Sequence, residues 1–201
     1  MPAFAAYRGL EHPSSLTLKG ELAKPSVLGL GELVSVPRVE QFSDLHCVTT
    51  WSCCGIRWSG FRFRDVHEQL LAPRAKPLSE ARWVVFRGAD GHRASLLLED
   101  ALGPDVLLAD QMNGEALSVE HGAPLRLIAP SHYAYKSVKH IAGIEFWSEF
   151  KPGPGLLEHP RARVDFEERG RLLPGILLRH LYRPFIAPVT NRFRVGQHKS
   201  N

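Results

Sequence analysis

The sequence predicts an α+β fold: one mixed, β-rich domain with short helices and a carboxyl-terminal extension. Three observations predict it. Between residues 15 and 150 the apolar residues recur in short runs or alternate with polar ones, the period of strands. Glycine, proline and one Asn-Gly pair punctuate those runs, as turn residues do. Beyond residue 150 the composition shifts to basic residues interleaved with apolar clusters. The chain thus divides into an amino-terminal arm, 1–14, a domain, 15–150, and a basic, partly apolar extension, 151–201, packed on the core or on a partner. There is no internal repeat.

Taken in order, SLTLKGEL alternates apolar and polar residues and reads as a half-buried strand. Lys-Pro-Ser breaks it, and LGLGELVSV fits a short helix or another strand. Val39–Val48 offers the next strand, with Gly55 and Gly60 as turns around IRW. FRFRDVHEQLLAP places Phe63, Val66, Leu70 and Leu71 at helical spacing, with Pro73 ending the helix. RWVVFRGADGHRASLLLEDAL reads as strand, Gly/Asp turn, strand and short helix. In VLLADQMNGEAL the Asn-Gly pair signals a tight hairpin. PLRLIAP is a strand bounded by prolines, SHYAYK a loop with room for one helical turn, and Gly143–Phe150 the last strand.

At 201 residues, 44% hydrophobic and 23% charged, the chain can bury a sizeable core without disulfides. Its three cysteines, two of them adjacent, make no secreted-protein framework. The start lacks a basic region followed by an apolar one, and no apolar run approaches membrane-spanning length, so a cytoplasmic protein without a transmembrane segment is the expectation. Residues 161–201 carry nine Lys/Arg against three Asp/Glu, while the rest carries sixteen against eighteen. Such a tail attracts an anionic partner or wraps, solvated, over the domain. A basic nucleic-acid-associated protein is one reading of it, although nucleic acid is not the expected partner.

All three cysteines fall in DLHCVTTWSCCGIRWSG. Structural zinc sites space their cysteines roughly two to four residues apart and bring a second pair from elsewhere. Here no CxxC exists, and an extended Cys53–Cys54 pair would point its side chains apart. As a nucleophile, Cys47 could not take His46 as its base if the two lie in a strand, since neighbours face opposite sides. A buried, inert thiol is the third possibility.

The run SLTLKGEL…PRVEQFSDLHCVTTWSCCGIRWSGFRFRDV, resumed at SLLLEDAL and DVLLADQMNGEALSVEHGAPLRLIAPSHYAYKSVKHIAGIEF, resembles the molybdopterin-binding domain of the sulfite oxidase superfamily. It is nearer the compact bacterial proteins than the animal enzyme. The resemblance covers residues 15–150 in order and implies the fold of that domain. It also implies a molybdopterin cofactor carrying molybdenum, in preference to tungsten, with Cys47 as the metal's thiolate ligand. A soft anionic donor suits that role.

Further cofactor contacts implied by the resemblance are His46, Ser95, His121, Arg126, Ser137, Val138 and Lys139. Arginine offers a bidentate fork and lysine a compact charge to an anionic cofactor. Tyr135, and beside it Tyr133, can approach the metal from the SHYAYK loop, so Tyr135 joins Cys47 as a catalytic candidate. Trp51 and Trp58 are candidates to wall the pocket. The sequence departs from the family at Ala134, where glycine is common, at Arg93 and Ala94, and at Cys53 and Cys54.

The implied activity is two-electron redox chemistry, with oxygen-atom transfer on a small substrate such as a sulfur or nitrogen oxide. Arg57, Arg62 and Arg64 are too scattered in phase to make a sulfite site. With no CxxCH haem motif or flavin fingerprint, an external electron donor or acceptor protein is expected. The immunoglobulin-like dimerisation domain of sulfite oxidases would not fit in residues 151–201, and the oligomeric state is left open. A non-catalytic scaffold that keeps the fold is the alternative.

Overall fold

A computed structural model describes residues 12–153 and 158–187. Two five-stranded sheets form the domain. The first runs in the order β2 (Ser26–Gly29), β1 (Ser15–Gly20), β10 (Ile141–Trp147), β5 (Trp83–Gly88) and β6 (Arg93–Leu97). The second is β3 (Arg38–His46), β4 (Ser52–Arg62), β7 (Leu107–Met112) and β8 (Glu115–Ala116), with β9 (Arg126–Ile128) also paired to β7. Pairings are antiparallel except β1 with β10, which run parallel, Thr17 opposite Gly143. The mixed, sheet-rich architecture is the one the sequence predicts.

Alternation does in β1 what the sequence asks: Leu16 and Leu18 are buried while Ser15, Thr17 and Lys19 are not. β5 buries Val84, Val85 and Phe86 in succession, as a strand covered on both faces does. The main core gathers Leu16, Leu18, Phe86 and Ile144 from the first sheet with Phe61, Leu108 and Leu127 from the second. The opposite face of the second sheet carries its own cluster, Trp58, Leu107, Ala109 and Ile128, with Leu45 and Ile56 against it. Period two thus sends Leu108 and Leu127 to one side, and Leu107, Ala109 and Ile128 to the other.

Asn113 and Gly114 both have positive φ, 55° and 91°, which makes the β7–β8 connection the twisted two-residue turn that Asn-Gly signals. Three expectations are corrected. Gly55 and Gly60 are not turns but lie inside β4. Gly60 sits where β4 presses against β7, and a Cβ there would come within 2.1 Å of the Leu108 carbonyl oxygen. Pro73 does not end the helix that begins as α1 (Phe63–Val66). The chain widens into a π turn over His67–Leu71 and continues as α2 (Ala72–Ala75). That wider turn precedes a residue with no N–H, whose ring would crowd the carbonyl of a regular helix. The last strand is Ile141–Trp147 rather than one running to Phe150. LGLGELVSV, left between helix and strand, ends β2 and then forms a 3-10 turn, Leu30–Ser35, on which Glu32 accepts the Gly29 N–H at 2.9 Å.

The π turn places His67 between the rings of Phe63 and Phe146, at 6.2 and 5.6 Å. Neither ring nitrogen has a hydrogen-bond partner among the described residues. Burial therefore lowers its pKa. A histidine held neutral by folding contributes stability that is complete above its unfolded pKa, about 6.5, and is lost as pH falls below it. Between pH 7 and 5 the unfolding free energy of wild type should fall more steeply than that of His67→Met, by up to ~1.4 kcal/mol per pH unit. Chemical denaturation at several pH values measures it; equal slopes would place the acid sensitivity elsewhere.

Helix α3 (Leu98–Ala101) follows β6, and the extension returns across the domain beside it. Val164 N–H donates to the Ser131 carbonyl at 2.9 Å and Tyr133 N–H to that of Ala162 at 2.9 Å. Arg161 pairs with Glu99 at 2.8 Å. Helix α4 (Gly175–Tyr182) buries Leu178, while Leu172, Leu173, Ile176, Leu177 and Leu181 stay exposed. The domain thus leaves these apolar side chains uncovered. Of the arm, only residues 12–14 are described, and the tail from residue 188 lies outside the described residues.

Candidate functional site

β9 is short, but its register decides the site. Arg126 shares a face with Ile128, which aims its side chain at the outer cluster of the second sheet rather than the main core. There the guanidinium lies 4.9 Å from the Trp58 ring centroid, and Nη1 donates to the His121 carbonyl at 2.8 Å. Arg126 is 5% exposed. Gly122, at φ +106°, lets the preceding loop fold tightly against it, since a Cβ there would sit 3.0 Å from Lys139 and 3.2 Å from Arg126. Lys139 Nζ donates to the Glu120 carbonyl. His121 Nδ1 pairs with the Ser118 hydroxyl at 2.7 Å.

Three basic groups thus converge, and their electrostatics record it. Burial, then the neighbouring Arg126 charge, lowers Lys139 to about 8. Burial, then Lys139 and Arg126, lowers His121 as well. Arg126 and Lys139, two cations set close together with Asp90 and Glu120 offsetting part of the repulsion on Lys139, are groups that could hold an anion.

Cys47 follows β3 at the mouth of the hairpin with β4. Leu45, two residues earlier, packs on the same cluster as Trp58, so Cys47 follows a strand of the face that bears Arg126. Cys47 N–H donates to the Trp51 carbonyl at 2.8 Å and Thr50 N–H to that of Cys47 at 3.0 Å. The thiol is partly exposed and lies 3.0 Å from the Thr49 hydroxyl. His46 Nδ1 pairs with Ser52 at 2.7 Å across the hairpin. Cys53 and Cys54 stand exposed on β4.

The SHYAYKSVK loop contributes in three ways. Ser137 and Val138 tie it to β9: the Ser137 hydroxyl accepts the Ala129 N–H at 3.2 Å, and the Val138 carbonyl that of Leu127 at 2.8 Å. Tyr133 is buried, and its hydroxyl has no partner among the described residues. Tyr135 donates its hydroxyl to the His159 carbonyl at 3.3 Å, and burial, then the Glu158 charge, raises its pKa. Its polar end is therefore turned to the extension. Ser95, in the first sheet, is likewise engaged elsewhere, donating to the Lys151 carbonyl. The structure brings His121, Arg126 and Lys139 together, fixes Ser137 and Val138 beside them, and leaves Ser95 and Tyr135 on the extension's side.

Residues 10–154 match the sequence profile of the oxidoreductase molybdopterin binding domain. The chain belongs to that family. This domain is 37% identical over 139 residues to the uncharacterized oxidoreductase YuiH of Bacillus subtilis, covering 69% of this chain and 68% of YuiH. It is 33% identical over 151 residues to MsrP of Campylobacter jejuni, a protein-methionine-sulfoxide reductase catalytic subunit, covering 67% of this chain and 49% of MsrP. The chain therefore spans about half the length of that reductase. Among solved structures it is similar to the sulfane dehydrogenase SoxCD of Paracoccus pantotrophus, with TM-score 0.59 and 23% identity over 74% of this chain and 43% of that one. That likeness speaks to the fold.

The protein is thus an oxidoreductase whose cofactor is molybdopterin with molybdenum. The molybdopterin-binding domain has side chains that fit such a group. It offers a soft thiol at Cys47, the neighbouring cations Arg126 and Lys139 for an anionic pterin tail, and at Tyr133 a buried hydroxyl without a partner among the described residues. Lys136, in the same SHYAYK loop, is a charged group that the structure brings into view. It is fully buried, donating to the carbonyls of Ser95 and Pro160, each at 2.9 Å, with Glu158 3.5 Å away. Glu158 and Arg169, both in the extension, went unremarked; the signal for them was the dense charge alternation of EHPRARVDFEERGR.

Proposed function

We propose that this protein performs oxygen-atom transfer on a small sulfur or nitrogen oxide, with Cys47 as the protein's ligand to the metal. The convergence of His121, Arg126 and Lys139, on the face of the sheet whose strand leads into Cys47, carries the reading. Bound there, the molybdenum would supply two-electron exchange coupled to movement of one oxygen atom. The chain's own residues do the rest. Cys47, held by the Cys47–Trp51 turn, supplies a thiolate in a fixed direction. Arg126 and Lys139 hold the anionic part of the cofactor, with His121 beside them as a neutral imidazole. Ser137 and Val138 brace the loop from which Lys139 extends, while His46 is tied to Ser52 and keeps the hairpin in register. Trp58 underlies Arg126 and excludes water from its charge. Tyr133, rather than the engaged Tyr135, is the loop tyrosine free to donate a proton or a hydrogen bond.

Electrons would come from, or go to, an external protein. The exposed adjacent thiols of Cys53 and Cys54 support a reducing compartment, and cell fractionation tests a cytoplasmic location.

The relationship to MsrP makes sulfoxides the first substrates to try. Protein from a host that makes molybdopterin should carry molybdenum and pterin in equal amounts. It should reoxidise a reduced viologen dye with methionine sulfoxide or an N-oxide. Sulfite oxidation without any sulfoxide or N-oxide turnover, at full metal loading, would overturn the substrate class. Lys139→Ala should weaken cofactor retention about 10- to 100-fold, the worth of a charged hydrogen bond. Pterin release on gel filtration measures it.

A further inference from the structure

We propose that Arg169, which the extension contributes from beyond the family-matched residues, is a positioning residue of the active site: it locks the turn carrying Cys47 and the ring of Tyr133 into one arrangement. The inference rests on the reading of Cys47 as the metal's ligand.

The turn needs an external brace. Thr50 sits at φ 74°, a left-handed conformation that costs a β-branched residue energy. Its bonds at Cys47 and Thr50 are local. Arg169 adds one from 121 positions away, Nη1 donating at 2.8 Å to the carbonyl of Val48, the residue after Cys47. The same guanidinium lies 4.9 Å from the Tyr133 ring centroid, and its Nε donates to Glu167 at 2.8 Å. One rigid fork therefore contacts the thiol's turn, the buried tyrosine and a carboxylate at once, with its side chain 9% exposed. Glu167 neutralises its charge, so Arg169 is suited to holding geometry rather than to receiving an anion.

Tyr133 is the second half of the argument. A buried hydroxyl without a partner is a costly thing to keep unless something bound uses it. Arg169 fixes the ring from its face, and the Tyr133 N–H is held by Ala162. Both restraints come from the extension. Anchoring the extension itself does not require Arg169, because Lys136 with Glu158, Arg161 with Glu99 and Val164 with Ser131 already hold it.

The test compares Arg169→Ala and Arg169→Lys with Arg161→Ala, a control that loosens the same extension at Glu99. In cofactor-loaded protein, Arg169→Ala should shift the g-values of the Mo(V) electron paramagnetic resonance signal, and Arg161→Ala should leave them unchanged. In cofactor-free full-length protein, amide hydrogen exchange of residues 45–52 should rise about tenfold or more in Arg169→Ala, the loss expected of one charged hydrogen bond. Arg169→Lys should fall between, and stands in for Arg169→Ala if that variant does not fold. Wild-type g-values together with wild-type exchange in the Arg169 variant would overturn the proposal. Equal changes in Arg161→Ala would do so too, since they would show general loosening. Cys47→Ser separates the two readings. A wild-type Mo(V) signal in that variant rejects the ligand assignment, while the exchange data still decide whether Arg169 orders the turn.

Discussion

Cys47→Ser is expected to abolish turnover and to strip the protein's own ligand from the metal while leaving the fold intact. The thiol is partly exposed and packs in neither cluster, so its loss should change stability by no more than roughly 0.5 kcal/mol. A serine hydroxyl is harder and far less acidic, and cannot replace a thiolate on a soft metal site. Loss of outer-shell partners typically costs about 10- to 100-fold, so removal of a direct ligand should exceed that. Cys53→Ser and Cys54→Ser, on the exposed strand edge, should be silent. X-ray absorption of the loaded proteins counts the sulfurs around the metal. One fewer in Cys47→Ser, with both controls unchanged, is the expected result. An undiminished count would remove Cys47 from the site.

The largest effect on stability should come from Lys136→Met. Lys136 is fully buried, and its amine is divided among two carbonyls and Glu158. Burial lowers its pKa to about 8, against the opposing pull of Glu158. Methionine replaces the stem but leaves Glu158 buried without the ammonium that faces it. Breaking a buried pair in this way costs about 3–5 kcal/mol, which for a chain of this size corresponds to a fall in melting temperature of ~10 °C. Replacing both members, Lys136→Met with Glu158→Gln, should recover part of the loss, because no charge is then stranded. A melting point within ~2 °C of wild type for Lys136→Met would show that the pair contributes little net stability.

Local features of the fold were legible where one residue type dictates the backbone. Asn113-Gly114 announced its hairpin, and the alternation of SLTLKGEL announced β1. Gly60 was misread because a glycine needed for close strand approach looks the same in sequence as one needed for a turn. Pro73 was misread because a π turn upstream absorbs its missing donor. No local pattern reveals that β1 pairs with β10, some 125 residues on. In the site, His121, Arg126 and Lys139 could be named from the family pattern. What they do together depends on β9 pairing with β7, a long-range fact. Lys136 and Tyr135 sit one residue apart on a loop, and only the returning extension decides that both face it.

The place of β10 bears on how the chain is made. β10, the last strand among the described residues, is the middle one of its sheet, between β1 and β5. Until residue 147 has emerged, those two neighbours have no edge to join, and β1 must wait unpaired on one side while more than a hundred residues follow. Completion of this sheet therefore waits for β10, and nascent chains stalled before it should lose β1 and β5 to protease far faster than the finished protein does.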